Sequence, residues 1–173
     1  MSHEIDRKIA VIFAADVVGY SKHMEANESD TVKNLRACEK ILLKLFKTYG
    51  GTLFNTGGDS FLAEFSSAVS AVECAVEFQN EIKLRNASDE TTVPLQFRVG
   101  VNTGDVIKEK GNLLGDGVNI AARLESLAQT GGITISRSVY EYVKGKTDYE
   151  YNDLGMQKVK QNDFHAYDLL LDP

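Results

Sequence analysis

Apolar and polar residues alternate along the chain in ways that predict several strands. Residues 8–16 are almost continuously apolar, which predicts a strand buried on both faces. Residues 95–101 place apolar side chains at every second position, which predicts a strand with one buried face. The glycine-rich turn at 56–59 predicts a hairpin between two short strands. The shorter strands are expected at 52–55, 60–65, 132–135 and 164–171.

Other segments space their apolar residues by three and four positions, which is the pattern of an amphipathic helix. Ser29 or Asp30 can cap the first of these helices, and the paired glycines 50 and 51 can end it. Ser136 can cap a further, short helix. The helices are therefore expected at 30–49, 68–82, 116–128 and from 137 onward.

The order of these elements predicts the fold class. Strand, helix, hairpin, helix and strand in succession indicate an α+β protein with a mixed or antiparallel sheet and flanking helices. This order suits a ferredoxin-like core better than a doubly wound parallel sheet. The chain has 173 residues and shows neither an internal repeat nor a shift in composition. A single domain over 1–173 is therefore expected.

Charge and composition limit the partners and the compartment. Nineteen basic and 25 acidic residues give a net charge of −6, which disfavours a nucleic-acid-binding protein. No apolar run is long enough to cross a membrane, and the N-terminus lacks the apolar core of a signal peptide. Cys38 and Cys74 are isolated within helical patterns, which favours buried, reduced thiols. These observations predict a cytoplasmic location.

Two aspartates follow strand patterns and are candidates for a metal site. Asp16 ends the first apolar strand, and Asp59 lies in the glycine turn of the hairpin. If the hairpin packs beside the first strand, the two carboxylates come close together. Carboxylates without neighbouring His or Cys favour a hard cation such as Mg²⁺, with phosphate as its natural companion. The alternative is that each is an ordinary turn or cap aspartate.

Polar residues on later elements could meet a phosphorylated ligand. Asn119 and Arg123 are four apart, so they share one face of the predicted helix and could orient a hydroxyl and contact a phosphoryl group. The alternative is a solvated face on which Arg123 pairs with a nearby Glu. Arg98 lies on the opposite strand face from Phe97 and Val99. It could hold a phosphate or pair with an acid.

Four segments together resemble the catalytic domain of class III nucleotidyl cyclases, and most closely the bacterial adenylate/guanylate cyclases. They read FAADVVGYS, TGGDSFLAEF, FRVGVNTG and GDGVNIAARL, and they occur in the family's order. The resemblance extends over residues 8–170. The segments span 13–21, 56–65, 97–104 and 115–124.

The resemblance implies a metal-dependent enzyme. Asp16 and Asp59 match the aspartates that hold two Mg²⁺ or Mn²⁺ ions per active site, and Val17 would offer its carbonyl to a metal. The backbone at Gly19 and Tyr20 would cradle phosphate oxygens.

The same resemblance implies a head-to-tail homodimer with composite active sites. Arg98 matches a phosphate-binding arginine. From the partner chain, Asn119 would orient the ribose and Arg123 would stabilise charge on the α-phosphate. His165 falls near a position at which many relatives bind phosphate through Lys or Arg. The implied reaction converts a nucleoside triphosphate, with ATP favoured, to the 3′,5′-cyclic monophosphate and pyrophosphate.

The base-binding positions depart from the family pattern. Asn55 stands where adenylyl cyclases usually carry Lys, and Asn112 stands where they usually carry Asp. An amide can donate and accept, so either residue could still contact adenine. The departure leaves GTP or a pyrimidine triphosphate as alternative substrates. A non-catalytic nucleotide-binding or dimerisation module is a further alternative, and regulatory domains outside this chain are expected from the family.

Overall fold

The computed structural model describes residues 5–89, 91–158 and 163–171, so the two ends of the predicted domain lie outside it. Eight strands and five helices occur in the described residues. The strands are β1 Asp6–Val17, β2 Gly51–Gly57, β3 Ser60–Phe65, β4 Phe97–Glu109, β5 Asn112–Leu114, β6 Ile133–Ser136, β7 Glu150–Gln157 and β8 Phe164–Leu170. The helices are α1 Tyr20–Ala26, α2 Glu28–Tyr49, α3 Ala68–Asn86, α4 Asp116–Leu127 and α5 Arg137–Val143.

All the described strands form one sheet with the order β2-β3-β1-β4-β6-β8-β7, and β5 pairs with β4. The β4–β6 pair is parallel and the other pairs are antiparallel. The predicted α+β class, with a mixed sheet and flanking helices, is confirmed. Strand β1 lies between β3 and β4, so its end is flanked by both neighbours. Asp16 is directly opposite Ser60 on one side and Arg98 on the other.

The main core lies between the sheet and helices α2, α3 and α5. Its aromatic centre joins β1 to α2 and β3, because the rings of Phe13 and Phe46 meet edge to face at 5.2 Å between centroids. Phe65 packs against both rings. A second edge-to-face pair, Phe78 with Phe97, joins α3 to β4 at 5.0 Å. Such buried aromatic pairs fix the helices firmly on this face.

Helix α4 packs on β1 and β4 on the opposite face of the sheet. Its backbone lies almost directly on β4, because a Cβ atom at Gly100 would stand 2.3 Å from the Glu125 amide nitrogen and 2.5 Å from the Ala121 carbonyl oxygen. A Cβ at Gly117 would likewise stand 2.7 Å from the Asp105 carbonyl oxygen. Only glycine permits these two approaches.

The structure corrects several sequence predictions about element boundaries. Helix α1 and strands β5 and β7 were not predicted, since they are short or have weak apolar patterns; α1, for example, has no buried residue. Helix α2 is capped by Asn27, whose side chain accepts a hydrogen bond from the Asp30 amide at 3.1 Å. The predicted caps Ser29 and Asp30 were therefore wrong. Strand β4 continues to Glu109, well past the predicted end at residue 101.

Both cysteines are fully buried free thiols, as predicted. Burial raises the pKa of Cys38 to about 11, although the nearby Arg85 opposes the shift. Burial raises the pKa of Cys74 to about 12. Both thiols are therefore protonated at neutral pH and pack as small apolar groups. Within the described residues, no helix combines the length and the apolar character needed to span a membrane.

Candidate active site

The structure brings Asp16 and Asp59 to the same corner of the sheet. Asp59 immediately precedes Ser60, which is the register partner of Asp16 across the β1–β3 pair. The turn that carries Asp59 is closed by Gly58 in the left-handed conformation, at φ 71°. The amide of Val17 donates a hydrogen bond to the Asp59 carbonyl oxygen at 3.3 Å. The predicted juxtaposition therefore follows from the hairpin packing beside β1.

The electrostatics of this corner favour a cation. Burial raises the pKa of Asp59, and the negative charge of Asp16 adds to the rise, although a backbone hydrogen bond opposes it. Asp16 also has a buried oxygen, Oδ1, without a hydrogen-bond partner. A divalent ion bound beside both carboxylates would offset their mutual repulsion, so the pair fits a hard metal. In the described part of the chain, no three His, Cys, Asp or Glu side chains form a metal-binding group.

Arg98 lies beside Asp16 on the neighbouring strand β4. Its Nε atom is 3.9 Å from Asp16 Oδ1, and its Nη1 atom donates a 3.4 Å hydrogen bond to the Ser126 carbonyl oxygen. The Nε atom itself is buried without a hydrogen-bond partner. The structure thus shows the alternative in which Arg98 pairs with an acid. Phosphate binding by Arg98 stays a prediction.

Glu125 was not predicted from the sequence, yet it belongs to this corner. It is only 5% exposed and lies within hydrogen-bonding reach of Asp16. Burial raises the pKa of Glu125 to about 8, with the nearby carboxyl group of Asp16 adding to the rise and Ser126 and Arg98 opposing it. A sequence signal for this position does exist. Val118, Ala121 and Glu125 are spaced so that they share one helix face, and that face is the buried one.

Asn119 and Arg123 lie on the outer, exposed face of α4. Within the described ranges, neither side chain forms a hydrogen bond or an ion pair, so the alternative in which Arg123 pairs with a Glu is not observed. Neither is bonded to Asp16 or Asp59 of the same chain. The structure therefore leaves an amide and a guanidinium free on one face of the helix.

The backbone after β1 turns at Gly19, which has φ 65° and open space where a side chain would be. Gly19 is the N-cap residue of α1, and its carbonyl accepts the His23 amide at 3.2 Å. Tyr20 is half-buried and packs its ring against the main core. Any contact of Gly19 and Tyr20 with a phosphate would therefore come from their backbone, as the resemblance implies.

The two asparagines of the predicted base site lie on neighbouring segments. Asn55 is exposed on β2, next to an irregularity in the pairing of β2 with β3 between residues 53 and 55. Asn112 opens β5, and its Oδ1 accepts the amide of Leu113 at 3.0 Å. Strands β2 and β5 contact each other, so the two asparagines lie on neighbouring strands. The Asn112 amide nitrogen remains available to donate.

His165 lies on β8, where its ring pairs with Asp153 and stacks on Tyr167. Its side chain is 19% exposed. The pKa of Asp153 is lowered by a hydrogen bond from the Gly155 amide, by the pairing with His165 and by the charges of His165 and Arg137. Burial opposes this shift. His165 is therefore already engaged within its own chain, and its predicted contact with phosphate has no support from this geometry.

The chain matches a family of known enzymes over nearly its whole length. The family model for the adenylate and guanylate cyclase catalytic domain matches residues 1–170. The putative adenylate cyclase 3 of Rhizobium meliloti is 45% identical over 157 residues, which is 90% of this chain and 27% of that protein. The adenylate cyclase of Streptomyces coelicolor is 30% identical over 79% of this chain and 34% of that protein. The chain belongs to the adenylate and guanylate cyclase catalytic domain family, and it spans about a quarter to a third of these relatives.

Solved structures confirm the fold. An adenylate/guanylate cyclase/hydrolase from Silicibacter pomeroyi superimposes with a TM-score of 0.87 at 34% identity, covering 98% of this chain and all of that chain. The adenylyl cyclase CyaB from P. aeruginosa superimposes with a TM-score of 0.84 at 24% identity, covering 99% of this chain and 98% of that chain. The predicted resemblance to the class III cyclases is therefore confirmed for both sequence and fold.

Proposed function

We propose that this chain converts a nucleoside triphosphate, preferentially ATP, to its 3′,5′-cyclic monophosphate and pyrophosphate. The reaction would take place at two composite sites of a head-to-tail homodimer. The observation that carries this proposal is that the candidate residues lie in two separate places on the chain. Asp16 and Asp59 meet at one corner of the chain, whereas Asn119 and Arg123 are exposed and unpaired on α4. A second copy is therefore needed to complete the site.

The metal half of the site would be supplied by one chain. Asp16, Asp59 and the carbonyl of Val17 would hold two Mg²⁺ or Mn²⁺ ions, which lower the pKa of the attacking 3′-hydroxyl and neutralise the triphosphate. Val17 is suited to this role because the Val18 amide, which shares a peptide group with the Val17 carbonyl, donates a 2.8 Å hydrogen bond to the Gln96 carbonyl oxygen and so fixes the peptide orientation. The backbone at Gly19 and Tyr20, with Arg98 beside Asp16, would bind phosphate oxygens.

The other half would come from the second chain. Asn119 would hydrogen-bond the ribose and hold the 3′-oxygen in line with the α-phosphorus. Arg123 would stabilise the negative charge that builds on the α-phosphate as the 3′-oxygen attacks and pyrophosphate leaves. The four-residue spacing on one helix face sets the distance between these two contacts.

Asn55 and Asn112 would contact the base. Each amide offers a donor and an acceptor, so together they could bind the N1 and 6-amino edge of adenine. They lack the charges of the usual Lys and Asp pair. Their neutrality is the specific observation that favours the second candidate function, a cyclase acting on GTP or a pyrimidine triphosphate.

The proposal is tested by incubating the purified dimer separately with ATP, GTP, CTP and UTP in the presence of Mn²⁺ or Mg²⁺. Products are identified by mass spectrometry. Cyclic AMP as the main product is expected, and omission of the metal should abolish it. A different cyclic nucleotide would support the second candidate. A folded, dimeric preparation that forms no cyclic product would contradict both and would point to a nucleotide-binding or dimerisation module.

Changing both Asn55→Lys and Asn112→Asp is expected to sharpen the preference for ATP. Each change makes a hydrogen bond to the base charge-assisted, and such bonds contribute about 1.5–3 kcal/mol. The ratio of kcat/KM for ATP over GTP should therefore rise by about tenfold or more. The exposed Asn152 on β7 provides a matched control, because N152K adds a positive charge outside the proposed base site. Loss of ATP turnover in the double variant, with another nucleotide still converted, would contradict ATP as the substrate.

A further inference from the structure

Three buried polar atoms without hydrogen-bond partners meet on the inner side of Asp16. They are Asp16 Oδ1, Arg98 Nε and Glu125 Oε1. The Asp16 side chain is nevertheless 30% exposed. Asp16 therefore turns one oxygen inward, towards Arg98 and Glu125, and leaves the other side of its carboxylate accessible to a ligand.

The position of Glu125 in this cluster is fixed by its surroundings. Its backbone rests against β4 at Gly100, which is on the same strand face as Arg98. Its Oε2 atom accepts a 3.2 Å hydrogen bond from the hydroxyl of Ser126. The Ser126 carbonyl in turn accepts the hydrogen bond from Arg98. The carboxyl of Glu125 is thus held against Asp16 by close packing and by a neighbouring residue.

We propose that Glu125 is a positioning residue, which fixes the carboxylate of Asp16 in its own chain for metal binding. This inference rests on the proposed function, because it requires Asp16 to be a metal ligand. Groups that restrain a metal-binding side chain are generally needed for full affinity, and their removal lowers metal affinity by roughly 10–100-fold. Helix α4 would then serve two sites at once: its outer face would reach the partner's site, and Glu125 would support its own.

The test compares Mn²⁺ binding by three variants of the dimer. The titration is followed by electron paramagnetic resonance in the presence of 3′-deoxy-ATP, which cannot cyclise because it lacks the 3′-hydroxyl. E125A is expected to weaken Mn²⁺ binding by about tenfold or more. E125Q should stay within about threefold of the original chain, since its amide can donate to Asp16 Oδ1 and its oxygen can still accept from Ser126.

L124A is the matched control for damage to the helix. Leu124 is fully buried and adjacent in sequence, but it packs against Phe164 and Ala166 on the far side from Asp16. L124A should lower the melting temperature through its cavity while leaving the Mn²⁺ affinity of the folded protein unchanged. A similar loss of affinity in L124A and E125A would mean that Glu125 acts only through the stability of α4.

A mixed dimer separates the two roles of α4. One chain carries D16A and the other carries R123A, so the single remaining site takes its metals from the R123A chain. E125A should raise the Mn²⁺ concentration needed for activity when it is placed on the R123A chain, and have little effect on the D16A chain. The reverse pattern would overturn the inference, as would unchanged Mn²⁺ binding by E125A. A native chain that binds no Mn²⁺ would instead contradict the proposed function itself.

Discussion

Replacing Asp59 by Asn is expected to lower cyclic-nucleotide formation by at least about 10³-fold while the chain stays folded. A metal ion supplies several kcal/mol of transition-state stabilisation, and each 1.36 kcal/mol is a factor of ten in rate. Asn retains the size of the side chain but loses the charge that a hard cation needs. Turnover with saturating Mn²⁺ and thermal unfolding, measured on the same preparation, check the prediction.

The melting temperature of D59N distinguishes the loss of a metal ligand from a loss of folded structure. Asp59 lies near the like charge of Asp16, so removing its charge should leave the melting temperature unchanged or slightly higher in the absence of metal. Asp105 offers a matched control, because it is an exposed aspartate that pairs with Arg7 at 2.9 Å towards the opposite end of β1. D105N should retain turnover. If D59N kept more than a tenth of the original turnover, Asp59 would not be a metal ligand.

Mixing two inactive variants is expected to restore activity. D16A removes the metal half of a site and R123A removes the other half, so each homodimer has two defective sites. A mixed dimer has one intact site made from the unaltered half of each chain. Random exchange of subunits makes half of the dimers mixed, each with one of its two sites intact, so about a quarter of the original activity should return.

The chain also provides a negative control for this experiment. Mixing D16A with D59N places both lesions in the metal half, so no mixed dimer has an intact site and no activity should return. Subunit exchange is verified by differently tagged chains. If mixed dimers of D16A and R123A form but stay inactive, the site does not combine residues of two chains in the proposed way.

Most of the fold was predictable because its central elements have strong apolar periodicity. Strand β1 and helices α2, α3 and α4 bury one or both faces, and burial is what the pattern of apolar residues reports. Strands β5 and β7 were not predicted because they are short or largely exposed. Their existence depends on pairing with β4 and β8, which is a tertiary contact that local sequence does not encode.

Part of the candidate site was also predictable from the sequence, and part of it was not. Asp16 and Asp59 could be placed together because strand pairing fixes the geometry of a hairpin packed beside β1. Glu125 was missed because a carboxylate on a helix is usually solvated, and this expectation outweighed its helical spacing from Val118 and Ala121. The partner of Arg98 was left open, because Asp16 and Arg98 are distant in sequence and become neighbours only through the register of β1 with β4.

The close approach of α4 to β4 has a mechanical consequence. Backbone packs against backbone at Gly100 and Gly117, so α4 is fixed on β4 at two points and cannot slide or roll there without a clash. Asn119 and Arg123 are therefore expected to move together with the sheet. In a dimer built as proposed, an upstream signal could change their distance from the partner's Asp16 and Asp59 only by turning one whole protomer against the other. The upstream signal would then act by rotating the two protomers relative to each other at the subunit interface.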